Sequence, residues 1–306
     1  MDKNKWTAEA VIDAVLADNS NLEIVVSNYF QAFIERLGEY DINIQGITSA
    51  DQLSLKVVEG IERLEPMRKE FLSVVEMFAV NKHPFLRRYL PVFFGKLLNS
   101  YEERGVNLYT GTSPDVLRND HYRFFNQFLF ISLTAVLVEN RCFDALQAIL
   151  RNRFQVYYKR YRITREVSFM RFREYNYTLN EFLNTSQPKR ISVTADYVAK
   201  YSEEGFDKLV RADILLYYIS LWNSSGDMLD PYWCPELSVY NRDTFILPNL
   251  TSKGYFNEAK VLFGVNTVGQ YRDLLDNTED RLQRGGLYRV PPLKDGLMYD
   301  SAGSLE

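Results

Sequence analysis

Apolar residues recur at intervals of three and four positions along most of this chain, and no other feature constrains its fold as strongly. Such a period places apolar side chains along one face of an α-helix. One segment, for example, carries Val26, Phe33 and Leu37 on a common face. Since 46% of the 306 residues are apolar, the chain can bury a large core. The sequence therefore predicts an all-α fold, an irregular multi-helix bundle of about ten to twelve helices that includes helical hairpins.

Two local signals set expectations for individual helices. Ser49 and Gln52 have the spacing of a capping box, which predicts a helix start at this point. Pro66 predicts that this helix ends near Glu65 and that another begins, because proline lacks a backbone donor and disfavours helical geometry in the preceding residue. Residues 121–138 are apolar on nearly all sides, so they are expected to form the central helix of the core.

Breaks in the pattern suggest three parts. Residues 1–110 are expected to form an N-terminal helical region and residues 111–284 a C-terminal helical module. A glycine- and threonine-containing break at 105–112 separates them. Residues 285–306 begin with two glycines, contain Pro291 and Pro292 and have few apolar residues, so a weakly ordered tail is expected.

Charge and composition exclude several classes of protein. The net charge of −4 provides no global attraction to nucleic acid or to anionic membranes. The most apolar window, residues 128–138, is much shorter than the roughly 20 residues of a membrane-spanning helix. Two cysteines and a polar N-terminal segment are typical of a reducing compartment. We therefore expect a cytoplasmic location and no membrane partner.

The sequence contains no recognised constellation of catalytic or metal-binding residues. His83 and His121 are far apart, and Cys142 and Cys234 have no second ligand at zinc-binding spacing. Phosphate-binding glycine loops and the nucleophile elbow are missing from the sequence. We therefore predict no catalytic residues, no metal and no cofactor, although a dispersed active site stays open as a third alternative.

A basic, aromatic segment at residues 151–175 is the strongest candidate for a binding surface. It contains eight basic and two acidic side chains, which gives +6, and since the whole chain carries −4 the remainder carries −10. Helical spacing weakens here, and minor extended segments are expected near residues 155–173. The candidate binding residues are Arg151, Arg153, Tyr157, Tyr158, Lys159, Arg160, Tyr161, Arg162 and Arg165.

Two uses of this segment are open. The cations could neutralise phosphates while the tyrosines stack on unpaired bases of RNA or single-stranded DNA. Alternatively, the aromatics could belong to the core and the arginines could pair with acidic groups of a protein. The second use is favoured. Tyr232 and Trp233, in a proline-flanked loop, are a second candidate binding surface because both residue types are enriched at interaction hot spots.

Residues 122–265 resemble a helical module of otherwise unannotated bacterial proteins that occur in mobile-element and antiphage settings. The resemblance is carried in order by the run from Tyr122 to Phe130, the string from Arg190 to Asp196, Ala212-Asp213, Tyr232-Trp233-Cys234-Pro235 and Lys253-Gly254-Tyr255-Phe256. The module has no established reaction, so the resemblance implies a bacterial origin and a defence-related setting only.

The leading hypothesis is accordingly a non-catalytic protein-interaction component, a sensor, adaptor or regulator in a bacterial defence system, with a protein partner or self-association. The alternative is an RNA or single-stranded DNA binding protein that uses residues 151–175.

Overall fold

The computed structural model describes residues 6–17, 20–103, 117–159, 161–185, 192–203, 205–223, 232–240, 245–278 and 290–305. The boundary expected at residue 110 and the first part of the expected tail lie outside these ranges. So does Arg160.

The described residues form a helical bundle with one small hairpin, which confirms the predicted all-α class. The helices are α1 (Ala8–Leu16), α2 (Leu22–Leu37), α3 (Ala50–Val80), α4 (Phe85–Glu103), α5 (Asp120–Glu139), α6 (Phe143–Leu150), α7 (Val193–Tyr201), α8 (Phe206–Asn223), α9 (Lys253–Phe263), α10 (Val268–Asn277) and the short α11 (Leu293–Gly296). The strands are β1 (Phe154–Tyr158) and β2 (Ile163–Val167). Both strands fall where minor extended segments were predicted.

Short polar side chains begin several helices as the sequence predicts. The Ser49 hydroxyl accepts a hydrogen bond from the backbone N–H of Gln52 at 3.2 Å. In return, the Gln52 side chain accepts from the N–H of Thr48 at 2.9 Å. At the start of α9 the Ser252 hydroxyl accepts a hydrogen bond from the backbone N–H of Tyr255. The residue that follows the last turn of α9 is Gly264, whose φ is 69°. That left-handed geometry favours glycine because a Cβ is disfavoured there.

The prediction that a helix ends near Glu65 is wrong, because α3 continues through Pro66 to Val80. Pro66 lies on the exposed side of the helix, whereas Leu64 and Met67 on either side of it are buried. Burial of these neighbours against the rest of the bundle outweighs the loss of one helical hydrogen bond. Tertiary packing of this kind commonly overrides a local preference.

Helix α5 is the centre of the core, as predicted. Its buried residues include nearly every position from Asp120 to Leu137. It packs against α3, α6 and α8. A continuous series of aromatic rings runs through this region, from Phe71 stacked on Phe93 at 4.6 Å to Phe130 stacked on Phe172 at 4.7 Å. The two parts expected from the sequence thus share one apolar core.

The end of the chain is packed in its described part, 290–305, in contrast to the weakly ordered tail expected from the sequence. Leu297 is fully buried, and its carbonyl accepts a hydrogen bond from the Tyr271 hydroxyl. The backbone N–H of Lys253 donates to the carbonyl of Leu305 at 2.7 Å. Aromatic hydroxyls and backbone pairing therefore fix a segment whose composition alone suggests disorder.

Candidate binding surface

The hairpin formed by β1 and β2 contains most of the predicted binding residues. The strands are antiparallel, with Val156 opposite Arg165 and Tyr158 opposite Ile163. Along β1 burial alternates, so that Phe154, Val156 and Tyr158 face the core while Gln155 and Tyr157 face outward. This alternation follows from the two-residue period of a strand. Phe154 packs edge-to-face on Phe172 at 5.7 Å and anchors the hairpin.

The outer edge of β1 is closed by one side chain of α4. The Asn99 Nδ2 donates to the carbonyl of Gln155 at 2.8 Å, and Asn99 Oδ1 accepts from the backbone N–H of Tyr157 at 3.0 Å. The amide therefore replaces a neighbouring strand, satisfying one donor and one acceptor of the backbone.

Strand β2 is exposed along most of its length. Ile163, Thr164, Arg165 and Glu166 are all exposed, and only Val167 is buried. Among the described residues the sheet consists of β1 and β2 alone, so β2 forms an edge. An exposed strand edge is a template for pairing with another chain.

The structure brings together only part of the predicted set. Tyr157, Lys159, Tyr161, Arg162 and Arg165 are exposed on the hairpin. The alternation places Arg165 on the opposite face from Tyr157, so the cations and aromatics do not form one uniform basic platform.

The remaining predicted residues differ in position. Arg151 and Arg153 are both exposed before β1, and the guanidinium of Arg151 lies against Gly264 at the end of α9. Tyr158 is buried, and this burial raises the pKa of its hydroxyl. The structure thus corrects the expectation for Tyr158, since a strand that faces the core on every second residue directs this ring inward.

The later arginines of the basic segment are structural. Arg171 is buried and forms ion pairs with Glu102, at 3.4 Å, and with Glu174. Arg173 donates through Nε to the carbonyl of Cys234 at 3.1 Å. These cations therefore hold the segment to the bundle. This is the structural use of the segment, the alternative to nucleic-acid binding.

A buried cluster of charges that the sequence did not indicate continues from Arg171. Arg123 donates to Asp120 at 2.6 Å, and its Nε lies 2.9 Å from the Glu174 carboxylate. Burial raises the pKa of both Asp120 and Glu102, although each faces a guanidinium. Every carboxylate named here has a cationic partner. Since these ion pairs connect side chains of different elements, the cluster joins α4, α5 and residues 168–176. Asp120 lies three residues from Arg123, and Arg171 three residues from Glu174, but helical periodicity gave no signal that these pairs and Glu102 meet, since they are far apart in the sequence.

The second predicted surface, at Tyr232 and Trp233, is also corrected. Tyr232 is half-buried and Trp233 is fully buried. The indole Nε1 of Trp233 donates to Asp213 Oδ1 at 2.7 Å, and Asp213 Oδ2 accepts from the backbone N–H groups of Glu236 and Leu237. A tryptophan whose only donor is satisfied inside the protein is a core residue.

A cleft of about 380 Å³ lies beside α3 and α5, and an adjacent one of about 150 Å³ shares Ala135, Glu139 and Lys208 with it. Across these clefts, Lys208 pairs with Glu139 at 2.9 Å and Lys69 pairs with Glu203 at 2.5 Å. These ion pairs compensate four of the charges that line the clefts, which Glu76 and Arg211 also line.

Three further features bear on function. Within the described ranges, no group of three or more His, Cys, Asp or Glu side chains is placed to hold a metal ion. Among the helices that the structure describes, none has both the length and the apolar character needed to cross a bilayer. Cys142 and Cys234 are free cysteines, and burial raises the pKa of the Cys142 thiol.

Comparison with known proteins gives no match, whether to a family model, to a curated protein or to a solved structure.

Proposed function

We propose that this chain is a non-catalytic protein-interaction component, a sensor, adaptor or regulator, and that it binds a protein through the hairpin of residues 154–167. One observation carries this proposal. The exposed apolar side chains Tyr157, Tyr161 and Ile163 all lie on a single element whose second strand is exposed on both faces.

The chemistry of the hairpin is typical of a protein interface. Tyrosine contributes a large contact area with few rotatable bonds and is enriched at interaction hot spots. The neighbouring cations Lys159, Arg162 and Arg165 can steer an acidic partner toward this surface. The buried anchors Phe154 and Val156 hold the hairpin in place, so little ordering is needed on binding.

The biological setting is proposed on different grounds. A defence-associated role in a bacterium is supported by the resemblance of residues 122–265 alone, whereas a cytoplasmic location is supported by the two cysteines and the polar N-terminal segment. The fold and the hairpin are compatible with that setting but add no specific support to it.

Site-specific photo-crosslinking in the native host tests the proposed surface. A benzoylphenylalanine placed at Tyr157, which is 48% exposed, should capture a defined protein. The same group at Phe245, which is 50% exposed but outside the hairpin, is the matched control. We expect Thr164→Asp, directly across from Tyr157 on the same face of the sheet, to weaken the Tyr157 product strongly. Equal products from both positions, or none from Tyr157, would refute a protein-binding hairpin.

RNA or single-stranded DNA binding is a second candidate, favoured by the exposure of Lys159, Tyr161 and Arg162 at the hairpin tip. A base stacked on Tyr161 would contribute about 1–3 kcal/mol. Fluorescence anisotropy with labelled oligonucleotides over a salt series tests it. Affinity should fall steeply with salt and disappear in Lys159→Glu/Arg162→Glu, with an unchanged Tm. Failure to bind at low salt would exclude this candidate.

A further inference from the structure

The two edges of the hairpin differ in a way that indicates which partner β2 accepts. Asn99 bonds backbone groups of Gln155 and Tyr157, so the N–H and C=O groups of these two residues point away from β2. The backbone groups that point toward β2 therefore belong to the alternate residues Phe154, Val156 and Tyr158. Antiparallel alternation then directs the backbone N–H and C=O groups of Thr164 and Glu166 away from β1. This outer edge of β2 is covered by no other strand in the described ranges.

We propose that the outer edge of β2 pairs with the same edge of a second copy of this chain, antiparallel and centred on Thr164. The two Thr164 residues exchange backbone hydrogen bonds across a two-fold axis. In this register Glu166 of each copy lies opposite Arg162 of the other. The result is a four-stranded antiparallel sheet with the order β1, β2, β2, β1.

The charges along β2 favour a second copy over an unrelated strand. Arg162, the turn residue that precedes β2 at a φ of 54°, and Glu166, within β2, are opposite in sign and lie two residues on either side of Thr164. An antiparallel two-fold pairing therefore brings Glu166 of each copy to the turn end of the other β2, where the long Arg162 side chain can reach it, and two such pairs of opposite charge are stabilising. A uniformly acidic strand would be repelled by Glu166, and a uniformly basic strand would be repelled by Arg162 and Arg165.

The same charges select the register. A pairing centred one residue further, on Arg165, would place the two Arg165 side chains opposite each other, which is destabilising. In the register centred on Thr164, Arg165 instead lies opposite Ile163, which is exposed in the single chain. The long aliphatic part of the arginine can cover this side chain.

This inference rests on the proposed function, since it names the partner of the same hairpin. The pairing edge is short, so we expect a weak, concentration-dependent dimer. Dimerisation would also join the outward faces of two hairpins into one sheet that presents both Tyr157 rings. A further protein partner would then meet a surface twice as large.

Charge reversal tests the pairing. Sedimentation velocity over a wide range of concentration should show the dimer for the wild type. We expect Glu166→Arg or Arg162→Glu alone to weaken dimerisation by at least about tenfold, since each loses two ion pairs and creates two like-charge contacts. The double variant Arg162→Glu/Glu166→Arg should restore it. Glu59→Arg, in an exposed ion pair of α3, is the control and should leave dimerisation unchanged.

Disulfide trapping tests the register. In a Cys234→Ser background, Thr164→Cys should form a covalent dimer under mild oxidation, whereas Arg165→Cys, which lies opposite Ile163, should do so much less. Circular dichroism of each variant shows whether the fold is retained.

The outcomes separate the two proposals. A wild-type chain that stays monomeric at every concentration, or single reversals that the double variant does not rescue, would overturn self-pairing. If Tyr157 still crosslinks another protein in that case, the proposed function stands. If neither result is obtained, both fail.

Discussion

Gly60 in the middle of α3 lies directly against His121 of α5. A methyl group at Gly60 would stand 3.0 Å from the Cβ, Cγ and Cδ2 atoms of the histidine. Such a contact is closer than ordinary van der Waals packing, so the two helices can approach this closely only because the residue has no side chain.

We therefore expect Gly60→Ala to lower the free energy of unfolding, even though alanine is favoured over glycine in a helix by about 1 kcal/mol. Gly95→Ala in α4 is the matched control. Its new methyl group would meet only Phe154 at 3.6 Å, an ordinary contact, so this variant should be more stable than the wild type. Urea denaturation measures both. The same sign of change for both variants would show that packing against His121 is not limiting.

His121 should make the protein less stable at acidic pH. Burial lowers the pKa of its imidazole to about 4, while Nε2 lies 3.0 Å from the carbonyl of Tyr40. A histidine whose pKa is depressed in the folded state contributes stability above its unfolded pKa near 6.5 and loses it as the pH falls toward 4.

The expected loss from this residue is about 3 kcal/mol, since one pKa unit corresponds to about 1.4 kcal/mol. The free energy of unfolding, measured from pH 7 to pH 4 for the wild type and for His121→Gln, should decline more steeply in the wild type. Parallel curves would contradict a neutral, buried imidazole.

Asp213 should have the opposite pH dependence. Burial raises the pKa of its carboxyl to about 6, despite the hydrogen bonds from Trp233 and the backbone. A raised pKa means that the folded state binds a proton more tightly, so the contribution is complete near pH 4 and lost as the pH rises through 6.

Near pH 4, Asp213→Asn should be less stable than the wild type by about 1–3 kcal/mol, because its single carbonyl oxygen can replace only one of the two acceptor oxygens and its NH2 group then faces either the Trp233 indole N–H or the buried N–H groups of Glu236 and Leu237. The advantage of the wild type should then shrink by about 3 kcal/mol toward pH 7. Asp273→Asn, at an exposed position of α10, is the control. A pH-independent difference for Asp213→Asn would rule out this assignment.

Neighbouring cations of α3 should differ greatly in their contribution to stability. The Arg68 guanidinium is buried, pairs with Glu65 at 2.7 Å, donates to Ser132 and to the carbonyl of Tyr201, and lies 3.9 Å from the ring centroid of Phe128. Arg68→Ala should cost about 3–5 kcal/mol, as is typical when a buried ion pair loses one partner.

The adjacent Lys69→Ala is a built-in comparison, because its ion pair with Glu203 is exposed to solvent. It should cost less than about 1 kcal/mol. Thermal and urea denaturation of the two variants should therefore differ clearly. Comparable losses would show that the Arg68 network contributes no more than a surface pair.

The helices and the central position of α5 could be predicted because both depend on local pattern. A helix buried on all sides is apolar on all sides, as in residues 121–138. Pro66 misled the prediction for the opposite reason: the forces that keep α3 continuous come from residues of other helices, such as those that pack on Leu64 and Met67.

The candidate surface was predicted in outline only. Composition located the segment 151–175 and its extended character, but which tyrosine faces outward depends on the register of β1. That register is fixed by Phe154 and Val156 against the bundle, which makes Tyr157 accessible and Tyr158 buried. The partner of Arg171 in α4 is equally invisible in the sequence, since Glu102 is 69 residues away.

The packing of residues 290–305 has a consequence for the order of events during synthesis. Leu305 pairs with the start of α9, and Leu297 fills a place beside Tyr271. While the ribosome still holds these residues, the apolar surfaces that they cover stay open to water. Docking of residues 290–305, and with it the burial of those apolar surfaces, must therefore wait until translation has passed Leu305.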